Sequence, residues 1–272
     1  MRSSACIRAA GCFVLAAVLG LAACRPPRPA VAPPAAPLAS DAVLAALQRV
    51  PAPPGMEGSG TLRVTVQGRD LPAVTARFAG SPDSGRVSLR PGILPPVLGL
   101  WASRSDWEIR LPMMRAVVSD GSDSSTPVRL ARLLWYVVCP RDLVADLTAP
   151  QFRAAAGRWV LRGRLDRLGD WVRAVEVWSD PAGEGIERWS LWLRSGESAL
   201  SVAYGRPLLQ AAPGSAVAFA APALGVRGSL TFTQLRSASP QPIPRLPVPH
   251  GWARLPADSL LPLLEGFSPP SE

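Results

Sequence analysis

The sequence of 272 residues contains no lysine, so all 29 of its basic side chains are arginine. It has one histidine, His250, which excludes a multi-histidine metal site and a two-histidine acid/base pair. His250 lies in the proline-rich turn Pro247-Val248-Pro249-His250-Gly251, and no Gly-x-Ser-x-Gly nucleophile elbow accompanies it. No phosphate-binding glycine loop and no EF-hand spacing occur, and Asp120 and Asp123 read as part of a solvated loop. The chain therefore reads as non-enzymatic, and no cofactor is expected. It shows no repeat at a period of roughly 20–50 residues, which excludes a solenoid or propeller array. Long apolar runs are also lacking. The most apolar stretch, residues 9–19, is too short for a bilayer core that needs about 20 residues.

What is present is proline, 31 residues, and glycine, 23 residues. Such frequent punctuation argues against a helical bundle and for many short strands. Apolar residues make up 48% and charged residues 18%, enough to build a core and to exclude wholesale disorder.

The N-terminal stretch has the order of a secretory leader. Arg2 and Arg8 precede the uncharged run at 9–19, and small residues follow. Leu21-Ala22-Ala23-Cys24 then resembles a bacterial lipobox. That resemblance implies cleavage after residue 23 and lipidation of Cys24. Arg25 follows Cys24 where an Asp would signal inner-membrane retention, so the resemblance implies the periplasmic face of the outer membrane. Cys6 and Cys12 leave with the leader. If Cys24 is lipidated, Cys139 has no partner, and at the end of Leu133-Leu134-Trp135-Tyr136-Val137-Val138 it reads as a buried thiol.

Residues 25–39 hold six prolines and read as an extended tether. Ser40 is a good N-cap, and Val43, Leu44, Leu47 and Val50 share one helical face. Strand patterns follow. Leu62, Val64 and Val66 alternate with Arg63, Thr65 and Gln67, and the same period recurs at 74–78, 86–90 and 107–111. A second helix begins at Thr126-Pro127, with Val128, Ala131, Leu134, Trp135 and Val138 as its stripe. Strands resume after Pro150, at 158–164, 172–178, 187–194, 199–204, 217–220 and 228–235. A short helical stretch is expected at 258–264. The expected fold is mainly β (α+β): an antiparallel open half-barrel of about ten strands, with a short N-terminal helix and a central lid helix. The expected organisation is 1–23 signal, 24–39 lipidated Cys and tether, 40–265 one β domain, and 266–272 tail.

Three local stretches resemble the LolA/LolB-like superfamily of lipoprotein-localisation proteins. They are Gly58-Ser59-Gly60-Thr61-Leu62-Arg63-Val64, the apolar loop from Arg90-Pro91-Gly92 to Leu100, and Val175-Glu176-Val177-Trp178-Ser179-Asp180-Pro181 followed by Arg188-Trp189. The order of elements from residue 40 to 255 agrees in outline. The resemblance implies a half-closed barrel with helices lidding an apolar cavity, which would hold acyl chains or lipoprotein cargo. The function expected is a non-catalytic carrier or acceptor at the outer membrane. The alternative is a structural envelope-assembly lipoprotein that binds a protein partner and no lipid.

Candidate residues follow from the pattern. The cavity would be lined by Leu62, Val64, Val66, Trp107 and Ile109 from the sheet and by Ala131, Leu134 and Trp135 from the helix. The same stripe equally suits plain core packing. Ile93, Leu94, Val97 and Leu98 form a loop that either touches membrane or cargo or plugs the space between strands. Pro95-Pro96 keeps that loop out of a central strand. The formal charge of +9 points to an anionic membrane surface, at ~1 kcal/mol per Arg near it. A genome rich in G and C would give the same arginines without that meaning. Export makes nucleic acid an improbable partner.

Overall fold

The computed structural model describes residues 40–48, 53–103, 106–119, 126–166, 172–180, 182–193, 195–238 and 243–256. The leader, Cys24, the tether and the stretch expected to be helical at 258–264 lie outside the described residues. Helix α1 is Ser40–Gln48. The first strands are β1 Met56–Val66, β2 Arg69–Asp70, β3 Val74–Ser81, β4 Ser84–Arg90, β5 Leu98–Ala102, β6 Trp107–Leu111 and β7 Ala116–Val118. Helices α2, Thr126–Val138, and α3, Pro140–Ala145, come next. Then follow β8 Thr148–Ala155, β9 Arg158–Arg164, β10 Val172–Ser179, β11 Ile186–Leu193 and β12 Ser198–Leu208. The last three are β13 Ala216–Ala221, β14 Val226–Ser237 and β15 Ala253–Leu255.

All 15 strands belong to one sheet, in the order β15-β7-β6-β5-β4-β3-β1-β14-β13-β12-β11-β10-β9-β8, with β2 paired to β1. The two ends of this order do not pair with each other among the described residues, so the sheet is open. Every ladder is antiparallel except β15 on β7, which is parallel. The count corrects the expectation of about ten strands, and the reasons are local. β8 contains Pro150, which reads as a breaker and is tolerated because β8 is an edge strand. β5 is interrupted by Gly99, and β7 and β15 have 3 residues each, too few to show a period.

The chain's first strand sits at the centre. β1 pairs with β3 on one side and with β14 on the other, and its register shifts at Ser59/Gly60. Glycine is required along this pair. A Cβ on Gly228 would fall 2.4 Å from the Arg63 carbonyl oxygen and 2.8 Å from the Phe219 ring. The bare Gly228 lets the ring of its cross-strand neighbour Phe219 lie flat on the sheet.

Strand alternation gives each strand an inner face, the one covered by the helices, and an outer face. The inner face carries two core clusters. One packs Val43 and Leu47 of α1, the last turn of α2 from Trp135 to Val138, Leu143 and Val144 of α3, and β9–β12, with Trp135, Tyr136 and Trp189 among its largest fully buried side chains. The other packs Leu62, Val64, Leu89, Leu100, Trp107 and Ile109 of β1 and β4–β6. The outer face of β4–β6 is crossed by residues 243–252, which lead into β15.

Candidate functional site: an apolar cavity under the second helix

Helix α2 lies over β3, β4 and β5. Its Leu134 and Trp135 stand above two glycines of the β3–β4 hairpin. A Cβ on Gly85 would sit 3.5 Å from Leu134 Cδ1, and one on Gly80 3.6 Å from Trp135 Cε3, both ordinary contact distances. Small residues here let the helix approach while leaving space deeper in.

That space is a cavity of about 90 Å³ at the seam between the two core clusters. Met56, Leu62, Ala76, Phe78, Phe219 and Phe232 line it from the sheet, and Leu134, Trp135, Val137 and Val138 from α2. No lining side chain carries a charge. Its volume is several times the ~10–15 Å³ that one water occupies. A void without polar partners stays dry and accepts hydrocarbon. It is also smaller than the ~300 Å³ at the low end of ordinary ligand pockets. A long chain therefore needs more room than this space gives.

The C-terminal end of α2 is held firmly. The Tyr204 hydroxyl, which accepts a bond from Trp189 Nε1 at 3.0 Å, lies 3.2 Å from both the Tyr136 and Val137 carbonyl oxygens. The Ala211 amide donates to the Val138 carbonyl. Trp135 Nε1 donates to Asp142 Oδ2 at 2.7 Å, and the Tyr136 hydroxyl to Asp146 Oδ2 at 2.7 Å. Arg132 is buried between Asp83 and Asp146, 3.5 Å from each. A helix leaves its last four carbonyls open; here the Cys139 amide takes that of Trp135, the Ala211 amide that of Val138, and the single Tyr204 hydroxyl proton is shared between those of Tyr136 and Val137. Burial pushes the Tyr204 hydroxyl far above its usual pKa, so it remains a neutral donor.

Of the residues expected to line the cavity, Leu62, Leu134 and Trp135 do so. Val64, Trp107 and Ile109 are instead packed into the neighbouring cluster, and Val66 leans on it half-buried. The backbone of Ala131 is helical, but its side chain is outside the described residues. The sequence reading missed Phe219 and Phe232. They reach the cavity only because β14 returns to pair with β1, a contact with no local signal. Ala76 and Phe78 did carry the signal, since they alternate on the strand next to Leu62.

The expected membrane loop divides in two. Ile93 is 100% exposed and Leu94 58% exposed. Val97 is buried and Leu98, the first residue of β5, is fully buried. The reason is that Val97 N donates to the Leu89 carbonyl, which closes the loop onto β4 before β5 begins. This corrects the assignment of Val97 and Leu98 to an exposed contact surface. Met113, 53% exposed, lies in the β6–β7 turn. Alternate turns of an antiparallel meander fall at the same end of the sheet, so Ile93, Leu94 and Met113 share one rim.

Chemistry of other kinds has little to work with. Among the described residues no group of three or more His, Cys, Asp and Glu could hold a metal ion. Cys139 is fully buried, and burial, assisted by Asp142, pushes its thiol from 9.0 up to about 12. Such a thiol is inert. His250 is exposed on the segment before β15. Among the described residues no helix is long and apolar enough to cross a membrane.

The fold and cavity define the class as an open antiparallel sheet with an apolar seam under a lid helix. Structure neighbours include LolA superfamily, lipoprotein-sorting and DUF1329 proteins. A DUF1329 family protein from Desulfovibrio piger superposes with a TM-score of 0.49 at 11% identity, over 72% of this chain and 90% of the other. A LolA superfamily protein from Nitrosomonas europaea gives 0.48 at 9% identity, over 76% and 96%. A domain described as outer membrane lipoprotein-sorting, from Vibrio parahaemolyticus, gives 0.46 at 13% identity, over 67% and 84%. No family model and no curated protein matches the sequence. At these values the likenesses carry nothing about ligand or partner.

Proposed function

We propose that the protein is a lipid-anchored carrier or acceptor that holds an acyl chain, free or as part of lipoprotein cargo, in the cavity beneath α2. The observation that carries this reading is the wholly apolar lining of that cavity. A dry seam between two well-packed clusters is an unfavourable void unless something fills it. Each methylene buried there would contribute about 0.8 kcal/mol. The fixed C-terminal end of α2 suits a lid that lifts from its other end.

In this reading Cys24 carries the anchor, residues 25–39 are the tether, and residues 40–265 form one working domain at the periplasmic face of the outer membrane. Ile93, Leu94 and Met113 form the rim that meets membrane or cargo. Arg69, Arg115 and Arg227 are exposed at the same end and suit an anionic surface. The same rim favours one other reading: a structural envelope protein whose apolar rim seats a protein partner, with the cavity merely unfilled. Mass spectrometry of the form spanning residues 25–272, purified without detergent, separates the two. Co-purified acyl lipid at near one equivalent supports the carrier. Absence of lipid, together with failure to bind added fatty acid, removes it.

A further inference from the structure

A second cavity lies on the opposite face of the sheet, about 280 Å³ in volume, and owes nothing to the first. Its floor follows from register. Arg86 faces Trp101 and Ser88 faces Gly99 across β4 and β5, while Gly99 faces Arg110 and Trp101 faces Glu108 across β5 and β6. Gly99 has no side chain, so the floor dips between Ser88 and Arg110. The roof is the segment leading to β15, which contributes Leu246 and Trp252.

The roof is tied down by polar contacts and leaves the space beneath it open. Trp101 Nε1 donates to the Ile243 carbonyl at 2.9 Å, and Ile243 N donates to Ser84 Oγ at 3.2 Å. Arg245 bonds Asp106 at 2.6 Å and Glu108 at 2.8 Å. Arg110 pairs with Glu108 and donates to the Leu246 and Pro247 carbonyls. Farther on, β15 fixes the chain to β7. The segment thus bridges the space between two fastenings.

The charges of this network cancel. Glu108 and Asp106 are matched by Arg110 and Arg245. Arg86, half-buried in the wall, is left over: its guanidinium has no ion pair or hydrogen bond among the described residues. The space therefore offers a surplus guanidinium and two half-buried indoles. A guanidinium selects a carboxylate, sulfonate or phosphate oxygen pair, and indole faces select a planar or apolar body.

We propose that this strapped cavity is a binding site for a small amphipathic anion, its acidic group on Arg86 and its apolar body between Trp101 and Trp252. The test uses two probes that share a ring system and differ in charge. 8-Anilinonaphthalene-1-sulfonate is anionic, and N-phenyl-1-naphthylamine is its neutral counterpart. Both are titrated by fluorescence into the 25–272 form, which contains every described contact. Arg86→Gln is expected to weaken the anionic probe about tenfold, as loss of a charge-assisted bond does, and Arg86→Lys to restore part of it. Trp252→Ala is expected to weaken it as well. The neutral probe, which lacks the acidic group, is expected to bind the parent and both Arg86 variants equally. Equal affinity of the anionic probe for parent and Arg86→Gln overturns the proposal. So does a parallel loss of both probes, or no binding of the anionic probe by the parent. Failure of the neutral probe alone to bind the parent supports the site, since only the acidic group distinguishes the two probes.

Discussion

The Tyr204 hydroxyl stands 3.2 Å from the Tyr136 carbonyl oxygen and thereby fastens β12 to the last turn of α2. The contact is fully interior, so it is exchanged for nothing when lost. Tyr204→Phe leaves the Trp189 indole and two helix carbonyls with a partner removed, at about 1–3 kcal/mol for a buried unsatisfied group. Urea unfolding followed by tryptophan emission should show a lower midpoint with an unchanged slope. An unchanged midpoint would mean that water replaces the hydroxyl and that α2 is not fixed at this end.

Ala76 offers a way to close the inner cavity without touching the helix. It lines the space and is almost fully buried. Ala76→Phe should abolish binding of a fluorescent fatty acid while the domain still melts cooperatively, with a change in stability of ~1–3 kcal/mol in either direction, as overpacking and cavity filling compete. Retained binding in this variant would place the ligand elsewhere.

Leu94 and Leu98 lie four residues apart and should behave oppositely. Leu94→Glu is expected to lower binding to anionic liposomes severalfold with a melting temperature near that of the parent. Leu98→Ala, at a fully buried position, should cost about 2–5 kcal/mol and leave liposome binding intact below its melting point. Co-sedimentation and thermal melts separate the two. Loss of liposome binding in the Leu98 variant alone would refute this division of the loop.

Cys139 predicts a pH dependence. Its folded pKa is raised from 9.0 to about 12, so the folded state keeps a proton that the unfolded state releases. Its contribution is fully present below pH 9 and declines as pH rises toward 12. Stability of the parent relative to Cys139→Ala should narrow between pH 8 and pH 10.5, measured by urea unfolding. In the native state at pH 8 the thiol should resist a disulfide reagent for as long as the protein remains folded. Rapid labelling would show that the seam around α2 opens often.

Legibility varied by element for physical reasons. α2 was readable because Thr126-Pro127 starts it, Pro140 stops it, and Leu134, Trp135 and Val138 fall at helical spacing between them. The inner faces of β1, β3, β4 and β6 were readable because period two survives without alignment. What could not be read was which strand neighbours which. The cavity lining needs Ala76 and Phe219 on either side of β1, and no sequence pattern announces that β14 is the second neighbour. The strapped outer cavity was illegible for the same reason. Arg86, Trp101 and Trp252 look like single residues on wet faces until register and the returning tail bring them together.

The central pairing of β1 with β14 also has a temporal side. Met56 is matched to Ser237 and Val66 to Val226, so the strand first made must wait for nearly the last. Synthesis proceeds from the N-terminus, and until β14 emerges β1 has one bare ladder edge, with only β2 and β3 paired to it on the other. Contacts of such long sequence separation make folding slow and leave edges open to mispairing. A nascent chain of this design is expected to need shielding for most of its emergence, and a truncation just before residue 226 should remain uncollapsed or aggregate even though it contains every residue of β1–β13.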